Sequence, residues 1–373
     1  MTVKSYKPEW VPEDGGSEFA TAVMPGVSES ESGESIPVYN KIKKLTCEDY
    51  VNGILSGDRM ILARAITVIE SNAPKHFELG QEIIRRILPY TGNSVRVGIT
   101  GIPGAGKSTF IEALGCMLCN EGKKIAVLAV DPSSSVTKGS ILGDKTRMEN
   151  LSRESNAFIR PSPSGGTLGG VARKSRETLL LCEAAGYDTI LVETVGVGQG
   201  ETTVRSMVDF FLVLVLTGAG DELQGIKKGV IELADAILVN KADGNNKQRA
   251  AVAKADYNQV LHYLRPATEG WATKAYTCSS ITGEGISVIW NVVTEFKAKM
   301  ESSGKLQKRR KQQEWEWILQ MAWTYIHSVI SQDSSIIECE KILKEQLNSG
   351  DITASVAAQK IIDVAKAKWA PYN

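Results

Sequence analysis

The sequence predicts an α/β fold with a mostly parallel, doubly wound central sheet, preceded by helices and followed by a helical arm. Two observations carry this. Between Ser94 and about Ser280, seven short apolar runs alternate with helical or loop segments. Within those runs the hydrophobic residues are continuous rather than alternating, as in strands covered by helices on both faces. Parallel strands need crossover connections, so the doubly wound architecture follows.

In chain order, residues 1–45 are rich in Pro, Gly, Ser and Glu, and Pro25 to Ser35 reads as a flexible tail. A helical segment follows over 46–92. Thr46 and Asp49 approximate a capping box, Ile61, Leu62, Ala65, Ile66 and Ile69 trace one apolar stripe, and Ile83, Ile84 and Ile87 trace another before Pro89. The main domain spans 93–300. Its predicted strands are Val95 to Thr100, Lys124 to Val130, Ala157 to Arg160, Thr189 to Glu193, Phe210 to Leu216, Ala236 to Asn240 and Ala275 to Ser279. From 301 to 373 the pattern is helical again, ending in a helix from about Ala354 to Trp369. A basic cluster (Lys305, Lys308, Arg309, Arg310, Lys311) reads as the solvated face of a long helix. The stripe Trp315, Trp317, Ile318, Trp323 and Ile326 must pack against either this chain's core or a second copy of it.

Composition excludes several classes. Lys plus Arg number 43 and Asp plus Glu number 43, whereas nucleic-acid binding by counterion release favours a basic excess. The longest apolar run, Phe210 to Leu216, is far short of the ~20 residues that span a bilayer. Six cysteines are too few for a disulfide scaffold, and Cys116 and Cys119 read as structural residues of a helix from Thr109 to Cys119. No leader pattern is visible, and the first 45 residues hold acids but no arginine, so a soluble, cytoplasmic protein is expected. The three histidines (His76, His262, His327) lack ligand-spaced partners, so no protein-only metal site is expected.

The sharpest motif is Gly101, Ile102, Pro103, Gly104, Ala105, Gly106, Lys107 and Ser108, followed by Thr109, which matches G-x-x-x-x-G-K-[ST] between a strand and a helix. Glycines let backbone N–H groups converge on phosphate oxygens, and the helix N-terminus adds a favourable dipole. Lys107 would reach the β- and γ-phosphates, and the Ser108 hydroxyl would ligate Mg²⁺. Asn240, Lys241 and Asp243 form N-K-x-D at a strand end. A carboxylate at Asp243 accepts from guanine N1–H and its exocyclic amine, donors that adenine does not offer there, so GTP is favoured over ATP. Ser279, Ser280 and Ile281 sit where a loop would cap guanine, although they depart from the usual Ser-Ala-Lys. Three acids complete the set: Glu193 in the place of a Walker-B acid, Asp131 at a strand's carboxyl end, and Asp144 in a switch-like loop. Lys107, Asp131 and Glu193 are the catalytic candidates; Ser108, Asp131, Asp144 and Glu193 are the metal candidates. Gly196 could sense the γ-phosphate, Gln199 is misplaced for the water-orienting role, and the loop from Ser162 to Gly170 reads as partner-facing.

On these residues the chain resembles the MeaB/ArgK-like GTPases, the family that includes the methylmalonic aciduria type A protein. The resemblance rests on GIPGAGKST, VDPSSS, ILGDKTRM, ETVGVGQGE, TGAGDELQGIKKG, NKAD and the upstream GDRMILARAITVIES, and covers about residues 45 to 300. It implies a Mg²⁺-dependent P-loop GTPase, turning GTP into GDP, that serves as chaperone and gatekeeper of an adenosylcobalamin-dependent acyl-CoA mutase, usually methylmalonyl-CoA mutase. It also implies a homodimer joined through the C-terminal helices. The residues alone reach only a Mg²⁺-dependent GTP-hydrolysing switch. The alternative is a kinase passing the γ-phosphoryl group to a protein or small molecule.

Overall fold

The computed structural model describes residues 45–71, 73–130, 148–161, 168–194, 200–217 and 228–369. The expectations for residues 1–44 therefore lie outside the described residues, as do those for Asp131, Asp144, Gly196 and Gln199. Among the described residues three helices come first: α1 (Cys47–Leu55), α2 (Arg59–Glu70) and α3 (Pro74–Ile87). The capping box is present, with Thr46 Oγ1 accepting from Asp49 N–H at 3.2 Å and Asp49 Oδ2 accepting from Thr46 N–H at 2.8 Å. Asp58 caps α2, and Pro74 occupies the first turn of α3, where a missing N–H is harmless.

The alternating region gives β1 (Val95–Gly101), α4 (Lys107–Asn120), β2 (Ile125–Val130), α5 (Glu149–Arg153), β3 (Ala157–Arg160), α6 (Leu168–Ala184), β4 (Thr189–Thr194), α7 (Gly200–Arg205) and β5 (Phe210–Val215). It continues with α8 (Lys228–Glu232), β6 (Ala236–Val239), α9 (Lys247–Tyr263), β7 (Lys274–Thr277) and α10 (Ile286–Ser302). The strands pair in the order β3-β2-β4-β1-β5-β6-β7, and every pairing is parallel. Chain-ends of the predicted strands shift by a residue or so, since pairing rather than hydropathy sets where a ladder stops.

One face of the sheet buries Val97 and Ile99 of β1 against Phe110, Leu114 and Leu118 of α4 and Phe296 of α10. On the other face β1 is bare at Gly98. A Cβ there would stand 2.8 Å from Phe211 and 2.9 Å from Val204 and Val208. Glycine thus lets the chain around α7 lie directly on the central strand.

Three helices end the chain: α11 (Lys305–Ser331), α12 (Ser334–Ser349) and α13 (Ala354–Trp369). The basic cluster corrects an expectation. Only Lys308 and Lys311 are exposed. Lys305 pairs with Glu269 at 2.9 Å. Arg310 grips Asp209 with two bonds of 2.8 and 2.6 Å, and Arg309 faces Asp235 at 3.6 Å. Asp209 precedes β5 and accepts Arg96 N–H of β1; Asp235 precedes β6 and accepts Phe211 N–H of β5, both at 2.9 Å. Consecutive arginines of α11 therefore clamp the amino ends of three adjacent strands. The cluster is not a solvated face because buried carboxylates await it. The aromatic stripe divides. Trp317 lies beneath the Arg176 guanidinium of α6 at 5.4 Å, whereas Trp315, Ile318, Trp323 and Ile326 are exposed on this chain.

Cys116 and Cys119 lie on α4 as expected, with free thiols. Cys119 is buried and Cys116 half-buried; burial pushes the Cys119 thiol up to about 11. No helix among the described residues is long and apolar enough to cross a membrane.

Candidate functional site

The site forms at the carboxyl ends of β1 and β4, neighbours in the sheet though far apart in sequence. That is where parallel sheets leave a crevice. β1 runs into a loop whose turns require glycine, with φ of +81° at Gly104 and +86° at Gly106. The loop opens α4 at Lys107 and points that helix's unpaired N–H groups into a cavity of about 530 Å³. Pro103, Gly104, Gly106, Lys107, Ser108 and Thr109 line it, with Glu193 and Thr194 of β4 opposite and Lys241 at the side. Among its bonds, the buried Lys107 ammonium donates to the carbonyls of Gly101 and Ile102 at 2.9 and 3.3 Å. Ala105 N–H closes the turn onto Ile102 O at 3.1 Å.

Ser108 Oγ donates to Glu193 Oε1 at 3.0 Å. A hydroxyl and a carboxylate thus converge at the amino end of the helix, on a strand register that sets Ile99 beside Glu193. Among the described residues no three His, Cys, Asp or Glu side chains cluster as a metal cage. A hydroxyl and a carboxylate are hard oxygen donors, the kind that Mg²⁺ takes alongside waters and phosphate oxygens. Thr194, which the motif reading passed over, bonds Thr100 Oγ1 at 2.7 Å and ties the two strand ends together.

The second half of the site lies beyond β6. Asn240 is buried, and its Nδ2 donates to Ala105 O of the glycine loop at 2.8 Å. Lys241 has φ +59°, a left-handed turn that ends the strand abruptly. Asp243 is half-buried, and its Oδ2 accepts Ser279 Oγ–H at 2.6 Å. Ser280 Oγ–H donates to Asn240 Oδ1 at 2.8 Å. Burial pushes the Cys278 thiol up to about 12, so it remains a donor and points Sγ–H at the same Oδ1 at 3.3 Å. Ile281 is 81% exposed. The structure thus brings together the glycine loop, Ser108, Glu193, Asn240, Lys241, Asp243, Ser279 and Ser280.

A central parallel strand that runs through a glycine-rich turn into a helix, facing a carboxylate on the adjacent strand, makes this a P-loop protein. Sequence comparison places it more closely. The chain belongs to the MeaB family of P-loop GTPases: the family description "Methylmalonyl Co-A mutase-associated GTPase MeaB" matches residues 62–335. It is 51% identical to the GTPase ArgK of Escherichia coli, over 74% of this chain and 84% of that one. It is 42% identical to the mitochondrial methylmalonic aciduria type A homolog of Mus musculus, over 85% and 79% of the two chains. Among solved structures, one described as a LAO/AO transport system kinase superposes with a TM-score of 0.72 at 37% identity. That match covers 88% of this chain and all of the other.

Proposed function

We propose that this GTPase works as a nucleotide-gated chaperone of an adenosylcobalamin-dependent acyl-CoA mutase, with methylmalonyl-CoA mutase the first candidate. The 3.0 Å bond between Ser108 and Glu193 at the mouth of the glycine loop is the observation that carries the chemistry. The mutase enters through the family's own description and the name of the mouse relative.

GTP would seat its phosphates on the N–H groups of residues 104–109, with the Lys107 ammonium leaving the Gly101 and Ile102 carbonyls for the β- and γ-phosphates. Ser108 and Glu193 would hold Mg²⁺, which when bound neutralises charge building on those phosphates. Asp243 would read the guanine edge, with Ser279, Ser280 and Ile281 closing over it. From the sequence alone, Asp131 would position water or support the metal, Asp144 would approach the metal from a switch loop, and Gly196 N–H would sense the γ-phosphate. Release of phosphate would free these loops, and the mutase would sense the difference. The working form is a cytoplasmic homodimer joined through the C-terminal arm.

The test is phosphate release from GTP with and without a cognate mutase, alongside Lys107→Ala. Stimulation by the mutase, lost in Lys107→Ala, is expected. Equal rates with and without every acyl-CoA mutase tried would remove the chaperone reading, and unchanged turnover in Lys107→Ala would remove the P-loop from the chemistry. Terminal-phosphate label appearing on an acceptor instead of in water would turn the reading toward a kinase.

A further inference from the structure

The loop beyond β7 departs from the usual Ser-Ala-Lys at Ile281 and at Ser280, where the alanine methyl gains a hydroxyl. That hydroxyl is not idle. Asn240 Oδ1 accepts three donors: Ser280 Oγ–H at 2.8 Å, and Ser280 N–H and Cys278 Sγ–H, each at 3.3 Å. The other end of the same amide donates to Ala105 O at 2.8 Å. Reversing the amide would set its NH₂ against the Ser280 N–H and its oxygen against the Ala105 carbonyl, so these two backbone groups fix its orientation. The contact is also tight. A Cβ added to Gly106 would stand 2.7 Å from Asn240 Nδ2, so the amide rests against the left-handed glycine that delivers the chain into α4.

Ser279, one residue earlier, has a different partner. Its Oγ–H goes to Asp243 Oδ2 at 2.6 Å, and its oxygen accepts Thr282 N–H at 3.2 Å. The adjacent serines thus serve two different readers of the nucleotide.

We propose that Ser280 is a positioning residue for the phosphate loop. Its hydroxyl holds the Asn240 amide, and through it the Ala105 carbonyl and the Gly106 turn, while Ser279 alone serves the base-reading carboxylate. The inference rests on the guanine-nucleotide reading above and adds a division of labour to it. Contacts made by the phosphate loop are common to all nucleoside diphosphates. Contacts made by Asp243 depend on the base, because inosine lacks the exocyclic amine. Ser280 therefore governs affinity shared by all nucleotides, and Ser279 governs the preference for guanine.

Fluorescently labelled GDP and IDP, titrated into wild type, Ser280→Ala, Ser280→Thr and Ser279→Ala, test this. Wild type that fails to bind GDP sinks the nucleotide reading itself; the inference is judged once wild type binds. In Ser280→Ala, both affinities should fall by the same factor, about threefold to tenfold, the worth of one hydrogen bond, with the GDP:IDP ratio unchanged. Ser280→Thr, which keeps the hydroxyl, should restore both. Ser279→Ala should narrow the ratio. The proposal is overturned if Ser280→Ala matches wild type, if it changes the ratio rather than the common affinity, or if the threonine variant binds as weakly as the alanine one. A thermal midpoint for each variant separates lost positioning from lost folding, because an unfolded variant would lose the ratio as well.

Discussion

At the scale of single residues, Asp235 has no accessible surface, yet it faces Arg205 at 3.3 Å and Arg309 at 3.6 Å. It also accepts Thr268 Oγ1–H at 2.5 Å and Phe211 N–H at 2.9 Å. Burial outweighs the neighbouring guanidinium and pushes its carboxyl up to about 6. In the unfolded chain the group would titrate near its ordinary value of about 3.9. The folded protein then holds this proton more tightly, so the stabilisation it brings is full below about pH 4 and is lost as pH rises through about 6. Denaturation of wild type and Asp235→Asn from pH 4 to 7 should show their stability difference falling by about 2 kcal/mol across that window. A flat difference would mean that the two arginines keep the carboxylate ionised throughout. Nothing in the sequence marks this residue, because its importance comes from partners brought in by the sheet. Lys107, Ser108, Asn240 and Asp243 were legible, since each belongs to a contiguous motif whose spacing is set by one turn of backbone. The work of Ser280 was not, because Asn240 lies 40 residues away and is reached only through β7.

At the scale of elements, the strands could be read because burial on both faces writes itself as an unbroken apolar run. Phe210–Val215 is buried at every position. The role of α11 could not be read. A run of cations looks alike whether it meets water or carboxylates, and Asp209 is 101 residues from Arg310. That pair makes a strong prediction. Its side chains are only 16% and 5% exposed, and the carboxylate also holds the first N–H bond between the Arg96 backbone and the turn before β5. Arg310→Met keeps the apolar stem but strands a buried charge, so urea denaturation should show a loss of about 3–5 kcal/mol. Lys308→Met, two residues earlier and exposed, should stay within about 0.5 kcal/mol of wild type. Equal effects would mean that α11 is not anchored through Asp209. The same junction reaches α7: Gln313 Nε2 donates to the carbonyls of Arg205 and Val208, and Arg176 donates to Ser206 O. The helix after the glycine-rich segment that follows Glu193 is thereby held at its far end by the C-terminal arm.

At the scale of the molecule, the arm presents an apolar surface that is exposed among the described residues. Its first helix is 27 residues long, about 40 Å. Arg309, Arg310 and Gln313 fasten the first turns to the sheet domain, and beyond them the helix turns its hydrophobic residues outward. Trp315, Leu319, Ala322, Ile326 and Val329 recur at spacings of four, three, four and three, the 3.5-residue period of a helix–helix seam. All five are exposed, and Trp323 (67%) and Tyr325 (71%) flank them. A stripe this regular and this apolar fits an identical helix from a second copy, whose seam is the same by symmetry. Sedimentation equilibrium should therefore give a dimer for wild type. Ile326→Glu sets a charge from each copy into a two-fold apolar seam and should shift the protein to monomer at micromolar concentration. Intrinsic GTP turnover should stay within about twofold, since α11 is anchored at the amino ends of the strands and Lys107 stands at their carboxyl ends. A wild-type monomer, or a variant that remains dimeric, would show that another surface joins the copies. If the variant is monomeric and also loses stimulation by the mutase, the arm presents the dimer to its client, and the clamp that binds α11 to α7 becomes the route by which nucleotide state and assembly affect each other.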